Sequence, residues 1–199
     1  MTANSVLLSI TRAVIILCWL AFSLPLFARR PFGGAKSIRS APASRLGIAL
    51  QGLGFFLLWF FNIKAVPWAA FQVGGPVLWT LCPAAMLLAI ASVWMAVAAI
   101  RALGKQWSYQ ARLIEGHRLV VEGPYSHVRN PIYTGMLGMM LATGIAFSVW
   151  WALSAAVVLY AAGTAIRVRA EERLLHEAFG EDFEAYCRYV PAVIPRWKT

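Results

Sequence analysis

Arg167 and Glu171 stand four residues apart, so a helix through them presents a guanidinium and a carboxylate on one face. Both follow directly on an apolar run that ends near residue 166. A charge held close to lipid costs about 2.5–3.5 kcal/mol on insertion scales, so it needs a partner or a use. A guanidinium can orient an anionic group through paired hydrogen bonds, and a carboxylate can offset a cation. The bland alternative is a helix-surface ion pair with Arg167 snorkelling to the headgroups. Glu172, Arg169, Arg173 and Glu177 fit solvated positions that pair at three and four apart.

A second polar set lies in the loop Arg101–Asn130: Gln106, Trp107, Gln110, Glu115, His117 and Glu122. It runs into Gly123-Pro124-Tyr125-Ser126-His127-Val128-Arg129-Asn130-Pro131-Ile132-Tyr133-Thr134-Gly135. Pro124 and Pro131 bias Gly123 and Asn130 away from helix, so 123–131 reads as an ordered turn. Pro131 suits the first turn of a following helix, where its missing N–H costs nothing. Such a turn offers backbone donors and acceptors beside a helix start. It could bind an adenosine or a carboxylate, or it could be a connector. A lone loop histidine such as His117 is commonly solvent-exposed, and Tyr125 and Tyr133 are the type of residue that anchors at an interface.

The elements that must position these groups are membrane helices. The 199 residues are 60% hydrophobic with a mean hydropathy of +0.66, against about 45–50% apolar for an ordinary soluble domain. The length suits one domain, 1–199, with helices filling 1–100 and the polar motifs in 101–199. Roughly 20 apolar residues cross a bilayer core. Residues 6–27, 46–63 and 76–100 qualify as spans. Residues 132–166 are almost uncharged and too long for one crossing. Gly144 and Phe147–Trp151 divide them into a tight hairpin of two helices, 132–147 and 150–166. Arg12 lies near the start of the first span and can snorkel. The fold class is therefore an all-α integral membrane protein with about five spans.

Charge sets the expected orientation. The net charge is +10, and no Asp or Glu precedes Glu115. Basic residues occupy 28–45, 101–131 and the tail, whereas 62–75 carries only Lys64 and 147–151 nothing. By the positive-inside rule the N-terminus lies outside and the C-terminus in the cytoplasm. Trp59, Trp68, Trp79, Trp150 and Trp151 then gather at the outer interface. Arg and Lys flanking apolar spans speak against nucleic acid as the partner. The three cysteines and three histidines show no disulfide or metal-site spacing. In the tail, Leu175, Phe179, Phe183 and Tyr186 form an apolar stripe, with a break at Gly180 and stops at Pro191 and Pro195.

Taken together, the polar motifs resemble the isoprenylcysteine carboxyl methyltransferase family, within the wider membrane methyltransferases that include phospholipid methyltransferases. That family's pattern runs His-x-Leu-Val, Gly-x-Tyr, Arg-His-Pro-x-Tyr-x-Gly, then Arg-x-x-x-Glu-Glu and Phe-Gly-x-x-(Tyr/Phe)-x-x-Tyr. This chain carries His117-Arg118-Leu119-Val120, Gly123-Pro124-Tyr125 and Arg129-Asn130-Pro131-Ile132-Tyr133-Thr134-Gly135. It then carries Arg167-Val168-Arg169-Ala170-Glu171-Glu172 and Phe179-Gly180-Glu181-Asp182-Phe183-Glu184-Ala185-Tyr186. The likeness covers roughly residues 103–195.

The resemblance implies S-adenosylmethionine as cofactor, bound at the cytoplasmic surface by loop and tail helices. It implies cofactor contacts from Gln110, His117, Arg118, Leu119, Val120, Tyr125, Asn130, Pro131, Ile132, Tyr133 and Glu171. Arg167 would face a lipophilic or prenylated methyl acceptor, with Arg167, Glu171 and Glu172 as the catalytic group. The chain departs from the pattern at Asn130, where the family has His. Asn still donates and accepts hydrogen bonds but does not titrate near neutral pH. A carboxylate acceptor needs no base, whereas an amine or thiol would need Glu172 or His117. Two other classes stay open. Sterol-type membrane reductases, which use NADPH, have a similar Arg-x-Pro-x-Tyr-x-Gly turn. A non-catalytic membrane scaffold is the other.

Overall fold

A computed structural model of the chain describes residues 2–28, 37–40, 44–64, 75–107, 112–114 and 118–195. Among the described residues, six α-helices make up the body: α1 (Ala3–Ala28), α2 (Ser44–Lys64), α3 (Gly75–Leu103), α4 (Pro131–Phe147), α5 (Trp150–Phe179) and α6 (Glu181–Tyr189). Long uncharged runs leave backbone groups no partner but each other in lipid, which is why they form helices. α1, α2, α3 and α5 are long and apolar enough to cross a membrane. α4 is a shorter apolar helix of 17 residues, about 25 Å in length. The expected hairpin is present, with Ser148 and Val149 between α4 and α5.

Side-chain contacts fix which helix ends lie together. Trp79 Nε1 donates to Asn4 Oδ1 at 3.2 Å, joining the starts of α1 and α3. The Phe61 and Trp151 rings meet at 4.4 Å, and Trp59 and Phe147 at 5.5 Å, joining the end of α2 to the α4–α5 junction. Trp59, Trp79 and Trp151 thus share one end of the bundle, as expected of an aromatic belt; Trp68 lies outside the described residues. The opposite end holds the start of α2, the end of α3, the 118–130 segment and the charged half of α5.

Arg12 differs from its expected snorkelling. Its Nε donates to the Ala146 carbonyl at 3.2 Å and its guanidinium lies 5.5 Å from the Phe147 ring centre. Arg12 therefore meets an unpaired carbonyl of the last turn of α4, where a cation also opposes the helix dipole.

The main packing pairs are α2 with α5, α3 with α4, and α1 with α3. Ile15, Phe22, Ala85, Ala89, Met139 and Ala142 form the larger core; Leu58, Met140, Ala156 and Tyr160 form a second one between α2, α4 and α5. Small residues let the backbones close in: a Cβ on Gly135 would sit 2.8 Å from the Ser92 carbonyl of α3.

Among the described residues, the polar end carries a feature beyond the all-helical expectation. β1 (Ser37–Ser40) pairs antiparallel with β2 (Arg112–Ile114), with an irregularity between Ser37 and Arg39. This ribbon joins the two basic loops. In the tail, Gly180 has φ +51, a conformation that favours glycine, and it separates α5 from α6 as the sequence predicts. Glu181, Asp182 and Glu184 occupy the first turn of α6 and Arg188 its last, both favourable to the helix dipole.

Candidate functional site

At 30 residues α5 is about 45 Å long, well beyond the roughly 30 Å of hydrocarbon, so its second half leaves the membrane. Arg167 lies where it does so. The side chain is neither snorkelling nor on the helix surface: Arg167 is 9% exposed. Its Nη1 donates to Gln51 Oε1 of α2 at 2.9 Å, and Gln51 Nε2 donates to Thr164 Oγ1 at 2.8 Å. Its Nη2 lies 3.7 Å from Glu171 Oε1, a looser pair than the four-residue spacing suggests. Its guanidinium carbon stands 4.8 Å from the centre of the Tyr133 ring, in cation–π range.

Glu171 is held from the other side, since the Tyr133 hydroxyl donates to its Oε1. Tyr133 is fixed in turn: its backbone carbonyl accepts from Tyr160 Oη at 2.7 Å. A guanidinium and a carboxylate from α5, a phenol from α4 and an amide from α2 therefore converge at the polar end. What brings α2 so close is backbone contact. A Cβ on Gly47 would fall 2.4 Å from Arg167 Cγ and 2.6 Å from the Gly163 carbonyl, and one on Gly163 would fall 2.6 Å from the Gly47 carbonyl.

The 123–131 segment forms the adjoining wall. Gly123 opens a short 3-10 turn, Gly123–Ser126, with φ +60. Tyr125 is 7% exposed, and burial, with the Glu171 carboxylate nearby, pushes its phenol well above the ordinary range. Its carbonyl accepts from Tyr186 Oη at 2.6 Å, and burial pushes the Tyr186 phenol up to about 12. Both phenols stay protonated hydrogen-bond donors at neutral pH. Tyr125 and Tyr133 are thus buried parts of the wall rather than interfacial anchors.

The tail is strapped across this turn. Arg129 N donates to the Pro191 carbonyl at 2.8 Å and Asn130 N to the Ala192 carbonyl at 2.9 Å. Asn130 Nδ2 donates to the same Ala192 oxygen at 3.0 Å, and Thr134 Oγ1 to the Val193 carbonyl at 2.5 Å. Arg129 Nε and Nη2 meet Glu172 Oε1 at 2.9 and 2.8 Å, while Nη1 donates to the Cys187 and Val190 carbonyls. Glu172 is therefore partly exposed and paired across the fold, with Arg129, rather than along its own helix. It is the far end of a clasp. Asn130 spends its amide N–H on the tail carbonyl, so the residue replacing the family His works here as a tail anchor. Arg169, Arg173 and Glu177 are exposed, as expected.

The remaining expected residues divide. Arg118 N donates to Gln106 Oε1 at 2.5 Å, which ties the 118–120 run to the turn after α3. Arg118 is exposed; Leu119, Val120 and Ile132 are half-buried, and Pro131 is buried at the first position of α4. Gln110 and His117 lie outside the described residues. Sequence reasoning missed Gln51, Thr164, Tyr160 and the clasp role of Arg129. Gln51 carried a usable signal, being an amide in the middle of an apolar span.

A family comparison matches residues 81–182 to phospholipid methyltransferase, half of the chain. The chain belongs to the phospholipid methyltransferase family. The match begins inside α3, earlier than the motifs alone suggest, and ends at the start of α6, so it includes the turn, Arg167, Glu171 and Glu172 but not Gln51. Among curated relatives, the uncharacterized protein YpbQ of Bacillus subtilis (strain 168) is 26% identical over 100 residues. That alignment takes in 48% of this chain and 60% of YpbQ, so the chain spans less than two thirds of the relative it matches.

Proposed function

We propose that this phospholipid methyltransferase family member transfers a methyl group from S-adenosylmethionine to a lipophilic acceptor, with the carboxylate of a prenylcysteine-like molecule as the acceptor that best suits the site. One observation carries the reading. A buried guanidinium, Arg167, and a buried-side carboxylate, Glu171, are held apart by separate partners at the membrane edge.

The donor set fits the cofactor's chemistry. S-adenosylmethionine, when bound, supplies an electrophilic methyl group for in-line displacement. Glu171 offsets its positive charge. Tyr125, Tyr133 and the first backbone N–H groups of α4, at Ile132 and Tyr133, face the adenine and carboxylate in this reading, and Gln110, His117 to Val120, Asn130 and Pro131 complete the expected contacts. Arg167 orients the acceptor carboxylate through paired N–H bonds. Positioning is the main device, because a carboxylate is ionised at neutral pH and asks for no base. The alternative acceptors, a phospholipid amine or a thiol, must lose a proton. Glu172, one of the two candidate bases, is engaged by both Nε and Nη2 of Arg129, which supports the carboxylate reading.

The same reading sets the active end and the tail in the cytoplasm, the N-terminus outside, and the whole chain as one functional unit. Its test is labelled methyl transfer from S-adenosylmethionine into a lipid extract, with the product identified by mass spectrometry. A base-labile product is a methyl ester. A base-stable product assigns the acceptor to an amine or thiol, and no product together with no cofactor binding in calorimetry rejects the activity.

A further inference from the structure

Arg167 belongs to the second half of the chain, yet its Nη1 is held at 2.9 Å by a residue of the first half. Gln51 is 2% exposed on α2, in a span with no charged residue between Arg45 and Lys64. A buried amide there is costly unless both its ends are satisfied. Both are. Guanidinium has no acceptor, so the Gln51 oxygen must face Nη1, and its nitrogen is then turned to Thr164 Oγ1. Two bonds fix the amide plane, and the amide fixes the guanidinium.

The consequence shows in the distances. Arg167 and Glu171 share a helix face at the spacing that normally closes an ion pair, yet Nη2 and Oε1 stand 3.7 Å apart. Gln51 draws the guanidinium toward α2 at 2.9 Å while the Tyr133 hydroxyl holds the carboxylate. Without Gln51 the cheapest move for Arg167 is to swing onto Glu171. The anion-orienting group and the cation-offsetting group would then neutralise each other.

We infer that Gln51 is a positioning residue that keeps Arg167 aimed at the acceptor and apart from Glu171, making α2 part of the acceptor site. The inference rests on the reading of Arg167 given above. It is tested with the full-length protein in detergent, using S-adenosylmethionine and N-acetyl-S-farnesylcysteine as the acceptor probe. Gln51→Leu raises the KM for the probe about tenfold, in line with losing a hydrogen bond to a charged group. Gln51→Glu, which keeps an oxygen facing Nη1, restores it. Thr164→Val, which removes the anchor of the amide and a bond to Tyr160 but leaves the Gln51 oxygen in place, raises KM less than Gln51→Leu. Cofactor affinity by calorimetry falls in Gln51→Leu, where Arg167 takes up the Glu171 carboxylate, and recovers in Gln51→Glu.

A merely structural Gln51 would lower thermal stability and leave the acceptor KM unmoved, and that result overturns the inference. So does a KM change that Gln51→Glu fails to restore. If the wild-type protein methylates no such probe, the acceptor reading falls by itself, and the coupling is judged from thermal unfolding of Gln51→Leu, Arg167→Met and the double variant. Non-additive shifts then uphold the Gln51–Arg167 link, and additive shifts overturn it.

Discussion

Arg129 and Glu172 lie 43 residues apart in the chain and meet at 2.8 Å, with the Cys187 and Val190 carbonyls on the other arm of the same guanidinium. One side chain thus joins the turn, the outer part of α5 and the tail. Arg129→Ala removes all three links. It is expected to destabilise the protein by about 2 kcal/mol, within the range for hydrogen bonds to charged groups. Glu172→Gln keeps an acceptor and costs under about 1 kcal/mol, as for a partly exposed pair. Thermal unfolding measures both, and limited proteolysis shows whether cleavage in 187–195 accelerates in the arginine variant alone. Equal losses in the two variants would contradict the clasp.

Glu171 carries the cofactor side of the proposal. Wild-type protein is expected to bind S-adenosylmethionine with a micromolar Kd, roughly −8 kcal/mol. Glu171→Ala abolishes binding in calorimetry. Tyr133→Phe removes the hydroxyl that holds the carboxylate and weakens binding about tenfold, the scale of one charged hydrogen bond. Full affinity in Glu171→Ala would remove this residue from the site.

Glycine substitutions separate close packing from open space on one helix. Gly47→Ala drives a methyl group to 2.4 Å from Arg167 Cγ and 2.6 Å from the Gly163 carbonyl, so α2 must shift. The expected cost is about 1–3 kcal/mol, with loss of methyl transfer. Gly52→Ala meets nothing within 4 Å, and alanine favours helix by about 1 kcal/mol, so it is neutral or stabilising. Thermal unfolding of the two variants side by side decides the matter.

Cysteine labelling reads both orientation and proton chemistry. Cys18 and Cys82 are buried, whereas Cys187 in the tail is partly exposed. Burial raises the Cys187 thiol above its ordinary value, against a smaller lowering by Arg129. The thiolate fraction at neutral pH is therefore below that of a free cysteine, and alkylation rises as pH climbs past the usual thiol range. A membrane-impermeant maleimide is expected to label Cys187 in inside-out vesicles only. Labelling in right-side-out vesicles would invert the proposed topology.

The helices were legible because hydropathy is local. The expected spans 6–27, 46–63, 76–100, 132–147 and 150–166 lie inside or within a residue of α1 to α5, and Gly180 marks the α5–α6 break. The Arg167–Glu171 relation was legible as a shared face but not as a distance, since the 3.7 Å gap depends on α2 and α4. Gln51 looks like an ordinary interruption until α2 is seated on α5. The tail strap was invisible for a different reason: most of its bonds use backbone groups of Arg129, Asn130 and 190–193, which any side chain could accompany. The β1–β2 ribbon is equally non-local, and four residues against three carry too little pattern to announce a strand.

The backbone contact between Gly47 and Gly163 bears on how far this protein can be divided or recombined. The segment shared with the family, 81–182, contains the turn, Arg167, Glu171 and Glu172, yet it excludes the helix that fills the space beside Gly163. Grafted onto another set of leading helices, that segment would set Arg167 against foreign side chains, or against acyl chains. Acceptor preference could therefore change by exchange of α2 alone, with every motif of the second half intact.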